Sequence, residues 1–281
     1  MLNLSVHIDD HSGCCFGVSN AISKAEAILD RGEELYALGQ IVHNDEEMQR
    51  LESKGMKTIN YEDLLLLKKR KILFRAHGES PHVYELVKKN GNILIDASCP
   101  IVLRLQKQIR QSCDNKEKVY IFGRSDHPEI IALMGHADNR AVVFNSLEEL
   151  MSMHIPEKIT LYSQTTKSAD QFQAIIQYLK KKGVDVSVHD SICRQVSGRQ
   201  EQIRIFCAGY DKVLFVAGKH SSNGKVLYDV CKNANPHSYL ISSVTELQPQ
   251  WFRVGDRVGV CGATSTPLWQ MMNVKKALEN L

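Results

Sequence analysis

No run of about 18 consecutive apolar residues occurs in this sequence, so no segment reads as a membrane-spanning helix. The first residues, Met1-Leu2-Asn3-Leu4-Ser5-Val6-His7, lack a basic stretch followed by an apolar one, which argues against a secretory leader and predicts a cytoplasmic protein with no membrane partner. Charge of one sign is scarce as well. Thirty-five Lys and Arg against 32 Asp and Glu leave +3, too little and too evenly spread for a nucleic-acid binder. The eight cysteines include no C-x-x-C pair, no ferredoxin-type run and no Cys/His finger. In a reducing compartment they do not form a disulfide framework either, so any metal site must be assembled from distant segments.

What is present is alternation. Apolar β-rich runs such as Lys71–Arg75, Ile93–Asp96, Val119–Phe122, Thr160–Ser163, Lys212–Ala217 and Arg257–Cys261 alternate with amphipathic patterns such as Val18–Arg31, Asp45–Lys54, Pro81–Lys89, Leu103–Gln111, Ala169–Lys182, Arg199–Ala208 and Gly224–Lys232. That order predicts an α/β fold with mainly parallel sheets and crossover helices.

A weak internal repeat runs through it. Asp96-Ala97-Ser98-Cys99 and Asp190-Ser191-Ile192-Cys193 each end a strand with Asp-x-x-Cys and lead into a helix. Val6-His7-Ile8-Asp9 leads more loosely, through a turn with Gly13, to Cys15. The spacing predicts three similar α/β units, 1–98, 99–192 and 193–281, around a shared centre. A helix N-terminus stabilises a thiolate, so Cys15, Cys99 and Cys193 are the candidate metal ligands. Cys113, Cys207, Cys231 and Cys261 read as buried small hydrophobes, and Cys14 points elsewhere. From the residues alone a zinc site with three thiolates stays open beside an iron–sulfur cluster.

Short polar segments lie at other strand ends. His43 and His77 each follow a strand, and Ser221-Ser222-Asn223 and Thr264-Ser265-Thr266 can offer hydroxyls, an amide and backbone N–H groups to phosphate oxygens. His127-Pro128-Glu129 brings an imidazole beside a carboxyl able to relay protons if burial raises its pKa, and Thr165 can bind an alcohol or cap a helix.

Together with Ile41-Val42-His43-Asn44, Arg75-Ala76-His77-Gly78 and Gln164-Thr165-Thr166, these segments make the chain resemble the 4-hydroxy-3-methylbut-2-enyl diphosphate reductases, from about Gly13 to Pro267. The resemblance implies a [4Fe-4S] cluster on Cys15, Cys99 and Cys193, with one iron left open for the substrate hydroxyl. It also implies a diphosphate site of His43, His77, His127, Ser221, Ser222, Asn223 and Ser265, with Thr165 at the substrate hydroxyl and Glu129, His127 and Thr165 in the catalytic group. The implied reaction is a two-electron reductive dehydroxylation of an allylic diphosphate to isopentenyl and dimethylallyl diphosphate, fed by a flavodoxin or ferredoxin. Cys14 and Asp126 depart from the usual pattern, and Cys14 is expected to add an oxidation target beside Cys15. A non-redox iron–sulfur hydratase or dehydratase, or a cluster-bearing sensor or electron-transfer protein, are the alternatives.

Overall fold

The structure is a computed structural model that describes residues 2–219 and 221–281, apart from the side chains of Val196 and Ser222. Among the described residues, strands and helices alternate along nearly the whole chain: β1 (Ser5–Ile8), α1 (Phe16–Leu29), β2 (Leu35–Leu38), α2 (Asp45–Ser53), β3 (Met56–Ile59), α3 (Tyr61–Leu66), β4 (Lys71–Phe74), α4 (Pro81–Lys89), β5 (Ile93–Asp96), α5 (Pro100–Asp114), β6 (Val119–Phe122), α6 (Pro128–His136), β7 (Val142–Phe144), α7 (Leu147–Ser152), β8 (Lys158–Ser163), α8 (Ala169–Lys181), β9 (Asp185–Val188), α9 (Arg194–Ala208), β10 (Lys212–Val216), α10 (Ser222–Ala234), β11 (Ser238–Ile241), β12 (Arg257–Gly262) and α11 (Leu268–Glu279). The strands form three four-stranded sheets, ordered β1-β12-β10-β11, β3-β2-β4-β5 and β7-β6-β8-β9. The pairings are parallel, as expected for strands joined by crossover helices.

The expected stretches 1–98, 99–192 and 193–281 differ from these sheets at the amino terminus. Strand β1, from the first stretch, pairs with β12, from the third, with Val6 opposite Val258. By compactness the chain forms two bodies, one of Met1–Glu33, Gln40–Lys57 and Gly198–Leu281, the other of Glu34–Gly39 and Thr58–Ser197.

In the first body both faces of the sheet are covered. Leu214 and Val216 of β10 and Val258 and Val260 of β12 pack with Met271, Val274 and Leu278 of α11. Val213 and Phe215 turn the other way, onto Ile203 and Cys207 of α9 and Leu227 and Cys231 of α10. Burial on two faces explains the near-continuous apolar runs of β10 and β12. The second body holds two sheets. Tyr120 and Phe122 of β6 pack on Phe172, Ile175 and Leu179 of α8, while Val119 and Ile121 pack on Leu105 and Ile109 of α5 and Ile130 and Leu133 of α6. In the other sheet Tyr36, Leu38, Ile72 and Phe74 enclose Leu64, Val83 and Val87.

Helices α5 and α9 start earlier than the apolar pattern predicts, at Pro100 and Arg194. Arg194-Gln195 at the start of α9 are polar and add no apolar signal, whereas α5 opens on Pro100, which suits the first helical position because its missing N–H would have no partner there. Strand β3 is a short edge strand with both middle residues exposed, so it has little apolar signal.

Candidate active site

Every candidate residue lies just beyond the carboxyl end of a parallel strand: Cys15 after β1, His43 after β2, His77 after β4, Cys99 after β5, His127 and Glu129 after β6, Thr165 after β8, Cys193 after β9, Ser221 and Asn223 after β10, and Ser265 after β12. Ligands of open parallel sheets bind at these ends.

The three junction cysteines share one local setting. Cys15 and Cys99 are the N-caps of α1 and α5, and Cys193 immediately precedes α9. Each main-chain N–H donates to a carbonyl in the loop after the neighbouring strand: Cys15 to Thr264 at 2.9 Å, Cys99 to Ala76 at 3.0 Å and Cys193 to Thr165 at 2.8 Å. An aspartate at the end of the preceding strand, or one or two residues beyond it, accepts the N–H two residues on, from His11 to Asp9 at 3.2 Å, Ser98 to Asp96 at 2.9 Å and Ile192 to Asp190 at 3.3 Å. These turns aim the chain from strand to helix. All three cysteines are partly exposed, and neither Cys15 nor Cys99 spends its thiol on capping its helix. Burial, with Cys15 and Glu47 nearby, pushes the Cys14 thiol up to about 12, so it stays protonated and does not fit the expected oxidation target.

A second thiol group emerges from the fold alone. Cys207, Cys231 and Cys261 lie together with their sulfurs within 4.8 Å of one another, close enough to hold a metal ion. Their surroundings are Ile203, Val213, Phe215, Leu227 and Ala263, all buried. Cys207 Sγ sits 3.0 Å from Cys231 Sγ, whereas sulfurs sharing a zinc at about 2.3 Å stand roughly 4 Å apart. Burial holds the Cys261 thiol well above its ordinary pKa. As placed, the three pack as small apolar side chains.

The most developed polar pair is Glu129 with Thr165, in the second body. His127 caps α6 by accepting the Glu129 N–H at its Nδ1 (3.1 Å), which leaves Nε2 to carry the proton of the neutral ring. That cap sets Glu129 in the first turn, pointing inward and fully buried. The carboxylate accepts the Thr165 N–H at 2.7 Å and the Thr165 hydroxyl at 2.6 Å. Burial raises the Glu129 pKa, and the two Thr165 bonds only partly oppose it. The His77 ring stands edge-on to His127 with centroids 5.1 Å apart. Gly78, at φ +68°, follows His77 where any Cβ would overlap the Gln106 amide. Asp126 turns to solvent and pairs with Arg124 at 2.8 Å.

In the first body, Ser221 caps α10 by accepting the Gly224 N–H at 3.0 Å, and its hydroxyl lies 3.2 Å from that of Ser265. Asn223 bonds Thr264, and Asn223 Oδ1 has no partner among the described residues. With the near-isosteric amide turned over, Thr264 donates to that oxygen and two N–H donors are freed for an anion. His43 belongs to this body, held where the Gly218 backbone presses against its carbonyl. Asn44 caps α2 and donates to Gln270 at 2.8 Å. Ser222 opens α10, but its side chain lies outside the described residues.

Sequence reasoning missed Ser12 and Arg199. Arg199 is buried and reaches Asp9 at 3.2 Å, a partner 190 residues away. Only the Asp of the repeat signalled that position.

The family described as LytB protein matches residues 6–279. A 4-hydroxy-3-methylbut-2-enyl diphosphate reductase of Bacteroides fragilis is 44% identical over 284 residues, covering 98% of each chain, and that of Porphyromonas gingivalis is 42% identical over 99% of each. Among solved structures, one described as (E)-4-hydroxy-3-methyl-but-2-enyl diphosphate reductase, the terminal enzyme of the non-mevalonate pathway, shares 31% identity at a TM-score of 0.77 over 99% of each chain. The E-1-hydroxy-2-methyl-but-2-enyl-4-diphosphate reductase from Plasmodium falciparum shares 28% identity at 0.85, over 98% of this chain and 87% of its own.

Proposed function

We propose a function that proceeds from one fact, that this chain belongs to the LytB protein family: it is a 4-hydroxy-3-methylbut-2-enyl diphosphate reductase, an oxidoreductase of the terminal step of the non-mevalonate pathway. Its substrate is a small allylic diphosphate, reductively dehydroxylated to isopentenyl and dimethylallyl diphosphate. The observation that carries the site assignment is the common setting of Cys15, Cys99 and Cys193, three partly exposed thiols at strand-to-helix junctions with matching backbone bonds.

Three such thiols fit an iron–sulfur cluster better than the apolar trio of Cys207, Cys231 and Cys261. Helix N-termini favour the thiolate form, and partial exposure leaves room for the inorganic atoms. When bound, a [4Fe-4S] cluster on three cysteines would supply electrons and one iron open as a Lewis acid.

The remaining chemistry belongs to the chain's own side chains. Burial raises the Glu129 pKa, so its carboxyl holds a proton more readily than an exposed glutamate and is suited to deliver one. Thr165 Oγ1, 2.6 Å from that carboxyl, passes the proton on and orients the substrate hydroxyl. Both are buried, which keeps bulk water from the transferred proton. Ser221, Ser222, Asn223 and Ser265, with His43, His77 and His127, supply the many donors a diphosphate requires. A flavodoxin or ferredoxin delivers the two electrons.

Anaerobic purification with iron and sulfide analysis, followed by an assay with the allylic alcohol diphosphate and a low-potential reductant, tests this reading. The expected outcome is reductant-dependent loss of the hydroxyl. Dehydration or hydration without reductant would place the chain with the non-redox hydratases instead.

A further inference from the structure

The three cysteine junctions are alike in backbone bonding but unequal in length. Cys99 and Cys193 stand three positions after their aspartates, whereas Cys15 stands six positions after Asp9. The longer turn passes through Gly13 at φ +137°, a conformation that L side chains rarely adopt. More free residues give a turn more entropy to lose when its thiol is held in one place. An additional fastening is therefore expected at Cys15.

One is present. Arg199 Nη2, on α9, donates to Asp9 Oδ2 at 3.2 Å and to Ser12 Oγ at 2.9 Å. The Ser12 hydroxyl donates to Asp9 Oδ2 at 2.7 Å and accepts the Gly262 N–H at 3.0 Å, so its hydrogen-bonding capacity is filled. Arg199 Nη1 is anchored by Gln202 at 3.1 Å. The ion pair is shielded, with side chains 8% and 4% exposed. The turn is thus tied to β12 through Ser12 and Gly262, to α9 through Arg199, and again to the loop after β12 through the Cys15 N–H. The other two junctions are secured differently. Asp96 takes a hydroxyl from Tyr84 at 3.0 Å, and Asp190 is exposed.

We infer that Arg199, acting through Asp9 and Ser12, is a positioning residue for the Cys15 thiol, holding the longest of the three ligand turns in the shape its ligand role requires. The inference rests on Cys15 being a cluster ligand, but the clamp itself can be read without a cluster. A guanidinium suits the task because Nη2 gives its two hydrogens to two oxygens of the turn while Nη1 is anchored on Gln202.

The test is made on the holoenzyme and on the same protein after its iron is removed. In the iron-free protein, the rates at which iodoacetamide alkylates Cys15, Cys99 and Cys193 are followed by peptide mass spectrometry for the parent, Arg199→Gln and Asp9→Asn. In the holoenzyme, iron loss to a chelator is followed by absorbance under anaerobic conditions. The expected result is that both variants alkylate Cys15 at least about fivefold faster with Cys99 and Cys193 unchanged, and release iron at least about fivefold faster. Arg199→Lys, which keeps the charge but loses the second nitrogen that Gln202 anchors, should fall between. The double variant should be no worse than either single one, because each breaks the same clamp.

Equal acceleration at all three cysteines would overturn the inference, showing Arg199 to support the body as a whole. No change at Cys15 would overturn it as well. A parent protein that assembles no iron–sulfur cluster would instead defeat the proposed function, while the alkylation pattern still decided the clamp.

Discussion

Replacing Glu129 by Gln should separate the carboxyl's proton from its shape. In the structure one carboxylate oxygen takes the Thr165 N–H at 2.7 Å and the other meets the Thr165 hydroxyl at 2.6 Å. Glutamine reproduces the protonated acid: its oxygen accepts the N–H, and its NH₂ donates to Thr165 Oγ1, which rotates to accept. Both bonds survive as neutral ones, so the stability cost should be about 1 kcal/mol or less. What vanishes is a proton that can leave. Positioned acid catalysis is worth roughly 10²–10⁴ in rate, and kcat should fall by about that factor with cluster content unchanged. Stability adds an independent check. Burial raises the Glu129 pKa in the folded state, so the protonated acid favours the fold. That contribution is complete below the unfolded value of 4.5 and is lost as pH rises through the folded value. Urea denaturation of parent and variant between about pH 5 and pH 8 should therefore show the parent losing ground to Glu129→Gln as pH rises. A variant that keeps more than about a tenth of parental turnover, or whose stability tracks the parent's at every pH, would refute the assignment of Glu129 as the buried acid.

Thr165→Val removes the hydroxyl but keeps the N–H bond, leaving a buried carboxyl oxygen without its partner; about 1–3 kcal/mol should be lost in urea denaturation, along with most turnover. Cys99→Ser should abolish iron and sulfide binding while the far-ultraviolet circular dichroism stays that of the parent, since this thiol does not cap α5. Gly218→Ala would drive a Cβ into the His43 carbonyl and to 2.9 Å from Asn44 Cα, both main-chain atoms that cannot step aside. A loss of about 1–3 kcal/mol is expected, with a rise in KM for the diphosphate that exceeds the fall in kcat.

How far the sequence could be read follows from the range of the interactions involved. Asp96-Ala97-Ser98-Cys99 and Asp190-Ser191-Ile192-Cys193 stood out as repeats because an aspartate bonding the N–H two residues on is a local device, written in consecutive residues. Strands β5 and β6 matched their apolar runs for the same reason. Short or polar-faced elements escaped: β3 exposes its two middle residues, and α3 has only Leu64 buried. Nothing local shows that β1 joins β12, because parallel pairing across some 250 residues leaves no mark on either strand.

The same distinction runs through the site. His43, His77, His127 and Glu129 were legible as polar residues at strand ends, but whether Glu129 was a solvated helix start or a buried acid depended on Thr165, 36 residues on. The convergence of Cys207, Cys231 and Cys261 is likewise tertiary, made where α9 and α10 cover one face of β10 and β12. At the cysteine junctions the backbone pattern recurs three times, while the side chains around it differ: Arg199 meets Asp9, Tyr84 meets Asp96, and Asp190 is exposed. A repeated turn needs only its own residues and so survives as a visible repeat. Each fastening instead answers to the length and exposure of its particular turn, and it comes from whichever helix passes nearby.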